Sequence, residues 1–488
     1  MAAPASSQPF DVAVVGAGGA GLFAALTAAG AGARVILVSA TPLAETASYW
    51  AQGGLAAALA AEDSPERHVQ DTIVAGRGLV RRSAAEILCA EAPGRVHELE
   101  TLGVRFDADR FGNLALGLEG GHSVRRVVHA GGSATGRRVS RELSALVALD
   151  DRIEVRERRR VGALWMDAGR CVGLVTDDGE PLAARAVVLA TGGAAALWSR
   201  TTNPPGAFGS GLMLAHHAGA ALADLELMQF HPTALVNPAR RDGFLVTEAI
   251  RGEGATLHDV SGERFVDELA PRDEVARAIE ARLRETGADS VGLDMRSVDP
   301  LRFPNIVAAL REIGIEPTAE LVPVAPAAHY LMGGVAADLD GRTTAAGLYA
   351  VGESACTGLH GANRLASNSL SECFVLGRRA ALAALDEPAP DVAGLPAPPL
   401  DESAVTPPGW ETRTALWRDA GLERDAVRLS ALLEDPHPLA RLVAACALHR
   451  EETRGAHRRT DFPATEPALD LHHTVVEPGS APAYARWS

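Results

Sequence analysis

Lysine is absent from all 488 residues, so every fixed cation is one of 46 arginines. That absence excludes pyridoxal-phosphate chemistry, which needs a lysine Schiff base. It also excludes a Walker A phosphate loop, whose lysine reaches the phosphates. An enzyme of this sequence that oxidises an amine must therefore use another electron sink. Cysteine is scarce, with five residues and no pair at CxxC spacing. This supports neither a zinc site nor an iron–sulfur cluster, and the thiols read as buried apolar groups. No apolar run approaches the roughly 18–20 uncharged residues of a membrane span. The start lacks a positive charge ahead of its apolar stretch, so it does not read as a secretory signal, and a cytoplasmic protein is expected. Net charge is −16, which disfavours nucleic acid and anionic membranes as partners. An anionic substrate would need a local cationic pocket against that field.

What is present begins with a βαβ unit. Residues 11–15 read as a buried strand, Gly16 to Gly21 as a glycine-rich turn, Leu22 to Ala31 as a helix and Arg34 to Ser39 as a second strand. The turn has the spacing G-x-G-x-x-G. Gly16 allows the tight turn, Gly18 lets backbone approach a pyrophosphate, and Gly21 lets helix and strand pack. An acidic residue usually ends the second strand and holds a ribose. Ser39 stands there, able to bond a ribose more weakly, which lowers support for NAD. Two further buried strands, 186–190 and 347–351, also run into glycines, at Gly192 and Gly352-Glu353. The loop Ser48 to Gly54 (SYWAQGG) and the long polar segment 351–371 favour FAD over a nicotinamide. The latter opens a helix whose N-terminus would favour negative charge on a flavin ring.

These features predict an α/β chain. The expected arrangement is a Rossmann-like FAD-binding domain over 9–224 and 331–385, with an inserted α+β capping domain over 225–330. A proline-rich acidic linker follows over 386–408, then a C-terminal helical domain over 409–488.

Four segments concentrate cations and hydrogen-bond donors. They are Gln229 to Thr233, Thr247 to Gly254, Ala270 to Asp273, and His329 to Gly334 with the later Asn363-Arg364. A dicarboxylate needs two anion clamps, for which arginine offers a fork and histidine a directed donor. Taken singly, an arginine is more often a surface ion partner and a histidine a satisfied core group. His216 and His217, on an alanine-rich stretch without a motif, read as structural.

In these ordered motifs the chain resembles the succinate dehydrogenase/fumarate reductase flavoprotein superfamily, and within it the aspartate-oxidising branch. The likeness runs from about residue 10 to 385, with a weaker echo at 454–463. It implies FAD contacts at Gly16, Gly18, Gly21, Ser48, Gln52, Gly53, Gly54, Glu353, Asn368, Ser369 and Leu370, beside which the strand ends add Ser39 and Gly192 as cofactor candidates. It implies carboxylate binding by His231, Thr247, His329 and Arg364, and proton transfer in fumarate reduction by Arg272 with Glu248 beside it. Respiratory members attach FAD through a histidine five residues before the glutamine of that loop. Ala47 occupies the place here, so non-covalent FAD is expected. Glu119, before Gly120-Gly121, corresponds to a glutamate of the aspartate-oxidising branch where respiratory enzymes carry a neutral residue. It is expected to receive the substrate ammonium and reject plain diacids.

The implied reaction converts L-aspartate to iminoaspartate with oxygen or fumarate as acceptor, the first step toward quinolinate and NAD. A quinolinate synthase is then a partner by function. The competing readings are a soluble fumarate reductase or respiratory flavoprotein subunit, against which Ala47 and Glu119 argue, and a non-catalytic flavoprotein, against which the full set of clamps argues.

Overall fold

The computed structural model describes residues 8–488 apart from 238 and 240. Residues 1–7, part of the start read as non-secretory, lie outside the described residues. No helix among the described residues is long and apolar enough to cross a membrane.

The strand Phe10–Val15 lies inside a large sheet, parallel to Val35–Ser39 on one side and to Pro181–Leu189 on the other. Leu348–Ala350 runs parallel to Pro181–Leu189. The three strands that end in glycine thus lie side by side and open toward the same edge. Crossovers leave Phe10–Val15 in both directions, which makes a topological switch point, the place where α/β sheets bind ligands. Both faces of the sheet are covered. Val12 and Val14 pack with Phe23, Val375 and Phe374 on one face, and Ala13 and Val15 pack with Leu212 and Trp198 on the other. That explains the unbroken apolar run in the sequence.

The helix Gly19–Gly30 begins three residues before the expected start. Its first turn is glycine because a Cβ on Gly21 would sit 1.9 Å from the Gly16 carbonyl oxygen. Asn368–Ala384 packs beside it through an edge-on contact of Phe23 and Phe374 at 5.3 Å. The expected strand 186–190 is the end of a longer one, Pro181–Leu189, which closes an antiparallel meander with Val161–Asp167 and Arg170–Thr176.

The block between residues 225 and 330 has its own antiparallel sheet. Met228–Leu235 pairs with Val322–Leu331, and Val291–Asp294 and Thr256–His258 follow in order. The helices Arg272–Thr286 and Pro304–Glu312 cover it around a core of Leu235, Ile250, Val275, Ile306 and Val324.

Beyond the proline-rich stretch come the helices Trp410–Asp419, Ala426–Leu432 and Pro438–His449. The chain then adds strands His472–Val476 and Ala483–Arg486, the first of which pairs with Leu222–Ala223. His217 meets Asp401 of the proline-rich stretch at 2.6 Å, a structural tie. All five cysteines are free, four of them buried.

Candidate active site

The two longest strands of the inserted sheet carry the histidines. Gln229 pairs with Tyr330, and a register shift after it brings the rings of His231 and His329 to a centroid distance of 5.0 Å. His231 is buried and its Nδ1 accepts the Thr233 N–H at 3.2 Å. That bond leaves the proton on Nε2, a donor aimed by the strand. Burial, then Arg272, holds His231 well below the ordinary imidazole range, so it stays neutral. His329 is likewise depressed by burial, then by Arg272 and Arg364, and its Nδ1 meets the Thr202 hydroxyl at 2.7 Å.

A short helix, Glu248–Gly252, starts at Thr247, whose hydroxyl accepts the Ala249 N–H. Glu248 is buried. Burial raises its carboxyl, but Arg272 and Arg251 more than offset this and hold it below the ordinary value. Its Oε2 accepts from Arg272 Nε at 2.6 Å, and its Oε1 from the Gly120 N–H at 2.9 Å. Arg272 also donates to Gln229 Oε1 at 3.2 Å. Arg272 is therefore buried among the other site residues, 8% exposed, and is not a surface ion partner.

Arg364 decides the character of the pocket. It is 4% exposed and has no carboxylate partner among the described residues. Its Nη1 donates to Ser369 Oγ at 2.7 Å, its guanidinium lies 4.3 Å above the Tyr330 ring, and its Nε has no hydrogen-bond partner. Burial, then Arg272, lowers it to about 10. Arg251, 2% exposed, makes no hydrogen bond through Nε or Nη2, although Nη2 lies 3.6 Å from Glu248 Oε1. Burying cations this incompletely paired costs several kcal/mol unless an anion completes them.

Glu119 supplies the opposite charge. It is 2% exposed, and its Oε2 accepts the Ser367 hydroxyl at 2.6 Å while its Oε1 has no hydrogen-bond partner. Burial, then Glu248, raises its carboxyl above the ordinary value. Ser367 in turn accepts the Gly54 N–H at 3.1 Å, which ties Glu119 to the glycine loop.

Along that loop Ser48 Oγ accepts the Gly19 N–H at 3.0 Å. A Cβ on Gly18 would meet only the Ser48 hydroxyl, a tight contact at 3.1 Å, and no backbone. Gly192 has φ +78 with open space around it, and its N–H donates to Ser354 Oγ at 3.0 Å. Glu353 accepts the Leu331 N–H at 3.0 Å, and burial pushes its carboxyl up to about 7. No side chain caps the helix at Asn368–Leu370. Two side chains expected at the cofactor are already engaged. Asn368 bonds His68 at 2.8 Å and Thr72 at 3.0 Å, and Ser39 donates to the Thr41 carbonyl at 2.7 Å. Asn368 therefore offers its backbone, and Ser39 its lone pairs.

Residues 11–370 match the family described as FAD binding domain, and residues 422–484 match the fumarate reductase flavoprotein C-terminal family. The L-aspartate oxidase of Caulobacter vibrioides is 46% identical, with 93% of this chain and 94% of that protein covered. That of Streptomyces coelicolor is 43% identical, covering 97% and 92%. The chain belongs to the L-aspartate oxidase family. Among solved structures, the quinol fumarate reductase of E. coli superposes with a TM-score of 0.86 at 28% identity, covering 98% of this chain and 96% of its own.

FAD is the cofactor of this family member, and the residues present fit it. The Gly18 turn, the open Gly192 turn, the buried Gln52 Oε1 without a hydrogen-bond partner and the uncapped helix start offer a cradle for pyrophosphate and flavin. Sequence reasoning missed Ser367 and Tyr330. Ser367 holds a left-handed conformation, φ +62, which nothing in its residue type announces. Tyr330 was visible in its segment, but its place beneath Arg364 depends on tertiary packing.

Proposed function

We propose that this protein oxidises L-aspartate to iminoaspartate on non-covalently bound FAD, with oxygen or fumarate as the final acceptor. The observation that carries this reading is the pairing of a buried, carboxylate-free Arg364 with a buried Glu119 whose Oε1 accepts no hydrogen bond. One asks for a carboxylate and the other for a cation. An amino diacid answers both, whereas a plain diacid answers only the first.

In this reading Arg364 and His329 take one carboxylate, and His231 Nε2–H and Thr247 take the other. Gln229 orients the clamp, donating to the Arg364 carbonyl at 2.9 Å while accepting from Arg272. Glu119 receives the α-ammonium and takes up its proton, a role suited to a carboxyl raised by burial. FAD supplies the two-electron acceptor for the hydrogen that leaves Cα. The block 225–330 acts as a cap that excludes water when it closes. With fumarate bound instead, Arg272 delivers a proton toward C3, and the ionised Glu248 beside it balances the guanidinium charge.

Ala47 leaves no histidine for covalent attachment, so acid precipitation should release the flavin into the supernatant. The free cysteines support a reducing, cytoplasmic setting. Iminoaspartate hydrolyses in water, so a quinolinate synthase that consumes it promptly is the functional partner.

Glu119→Gln tests the substrate assignment. Loss of one buried charge pair, roughly 3 kcal/mol, should raise KM for aspartate about 100-fold. KM for fumarate should stay within about threefold. Equal losses on both would remove the ammonium role.

A further inference from the structure

The ammonium proton taken by Glu119 must leave a buried site, and one side chain stands on its way out. His129 follows the strand Val127–Val128, which pairs with Leu116–Gly117 just before Glu119. Its Nε2 lies 3.7 Å from Glu119 Oε1, the oxygen without a hydrogen-bond partner. Among the described residues, His129 Nδ1 has no hydrogen-bond partner. The side chain is 12% exposed against 1% for Glu119. The charged groups that act on its imidazole are Asp107 and Arg302. Arg302 lines an open groove of about 550 Å³ with Gly131, Gly132, Arg137, Arg138 and Arg141.

The position is built. Asp107 accepts the N–H groups of Gly131 and Gly132, each at 2.7 Å, and its own N–H donates to the His129 carbonyl at 2.8 Å. Gly117 makes room for the ring, since a Cβ there would lie 3.1 Å from His129 Nε2.

We infer that His129 is the proton relay between Glu119 and solvent in aspartate oxidation. This rests on the ammonium role proposed for Glu119. The N–H bond of the ammonium breaks as the O–H bond on Glu119 forms. The proton then passes to His129 Nε2, and the partly exposed imidazolium gives it to water. No electrons move in this step. Burial raises Glu119 and lowers His129 to about 4, so the proton is not trapped on the imidazole. His129 is a positioning group for the proton and does not touch the substrate.

The test follows flavin bleaching in the FAD-loaded protein, without oxygen, at saturating aspartate across pH. His129→Gln should slow bleaching roughly tenfold, below the 10²–10⁴ range of a direct acid–base group. KM should move less than about twofold, and added imidazole should restore rate. Gly117→Ala keeps the histidine but displaces its ring, and should slow bleaching in the same way. Reoxidation of the reduced protein by fumarate should be unchanged in both. A second readout needs no turnover. In ¹⁵N-histidine NMR without substrate, Glu119→Gln should shift the titration midpoint of His129. Wild-type bleaching in His129→Gln, an equal loss with fumarate, or an unmoved midpoint would overturn the relay. If Glu119→Gln leaves KM for aspartate unchanged, the ammonium role itself fails, a separate outcome.

Discussion

Arg364 shows how one side chain trades stability for recognition. Its guanidinium is buried over Tyr330 and, among the described residues, has a serine as its only side-chain hydrogen-bond partner. Before a ligand arrives, that desolvation is poorly compensated, and a substrate carboxylate completes the fork. Arg364→Met keeps similar volume without the charge. We expect kcat/KM for aspartate to fall at least about 10³-fold, from roughly 4 kcal/mol of lost charge-assisted contact. Thermal stability of the ligand-free protein should hold or rise, as a melting curve will show. The residues of this clamp were legible because they fall in ordered motifs. His129 was not, because its significance lies in a 3.7 Å approach between neighbouring strands. Arg251 was visible as a letter in a motif, but its burial beside Glu248 appears only once the chain folds.

At the scale of elements, the glycine turn separates two kinds of need. A Cβ on Gly21 would sit 1.9 Å from the Gly16 carbonyl oxygen, and one on Gly16, at φ +104, would sit 2.3 Å from the Ala190 carbonyl oxygen. These two serve the joint of helix and strand. Gly18 faces only the Ser48 hydroxyl, at 3.1 Å, so its smallness serves the ligand. Gly21→Ala should therefore yield little folded protein. Gly18→Ala should fold with a melting temperature near wild type but bind FAD at least about tenfold more weakly, measured by flavin fluorescence. The βαβ unit was legible almost to its ends because period and punctuation agree there. The meander of Val161–Asp167 and Arg170–Thr176 was not, since its antiparallel pairing across Pro181–Leu189 leaves no motif.

Across the whole molecule, a buried ionic network fastens the C-terminal region to the segment between Leu222–Ala223 and Met228–Leu235. Arg450 reaches Glu226 at 2.7 Å and Glu452 at 2.9 Å, and Arg454 meets the same Glu452 at 2.9 Å. His473 meets Asp224 at 2.5 Å. Arg424 donates to the Glu226 carbonyl at 2.6 Å. Removing one partner strands the rest, so Arg450→Met should cost about 3–5 kcal/mol, read as a lower denaturant midpoint. The helices of the C-terminal region were legible from their periodicity. The strands after them were not, because their register is set by Leu222–Ala223, some 250 residues earlier.

The central claim is that the pocket reads an ammonium as well as two carboxylates. Anaerobic addition of aspartate, and separately of succinate, to the FAD-loaded protein tests it most directly. Aspartate should bleach the flavin absorbance and yield oxaloacetate and ammonia on hydrolysis of the product, while succinate at the same concentration should leave the colour intact. Bleaching by succinate with none by aspartate would contradict the account.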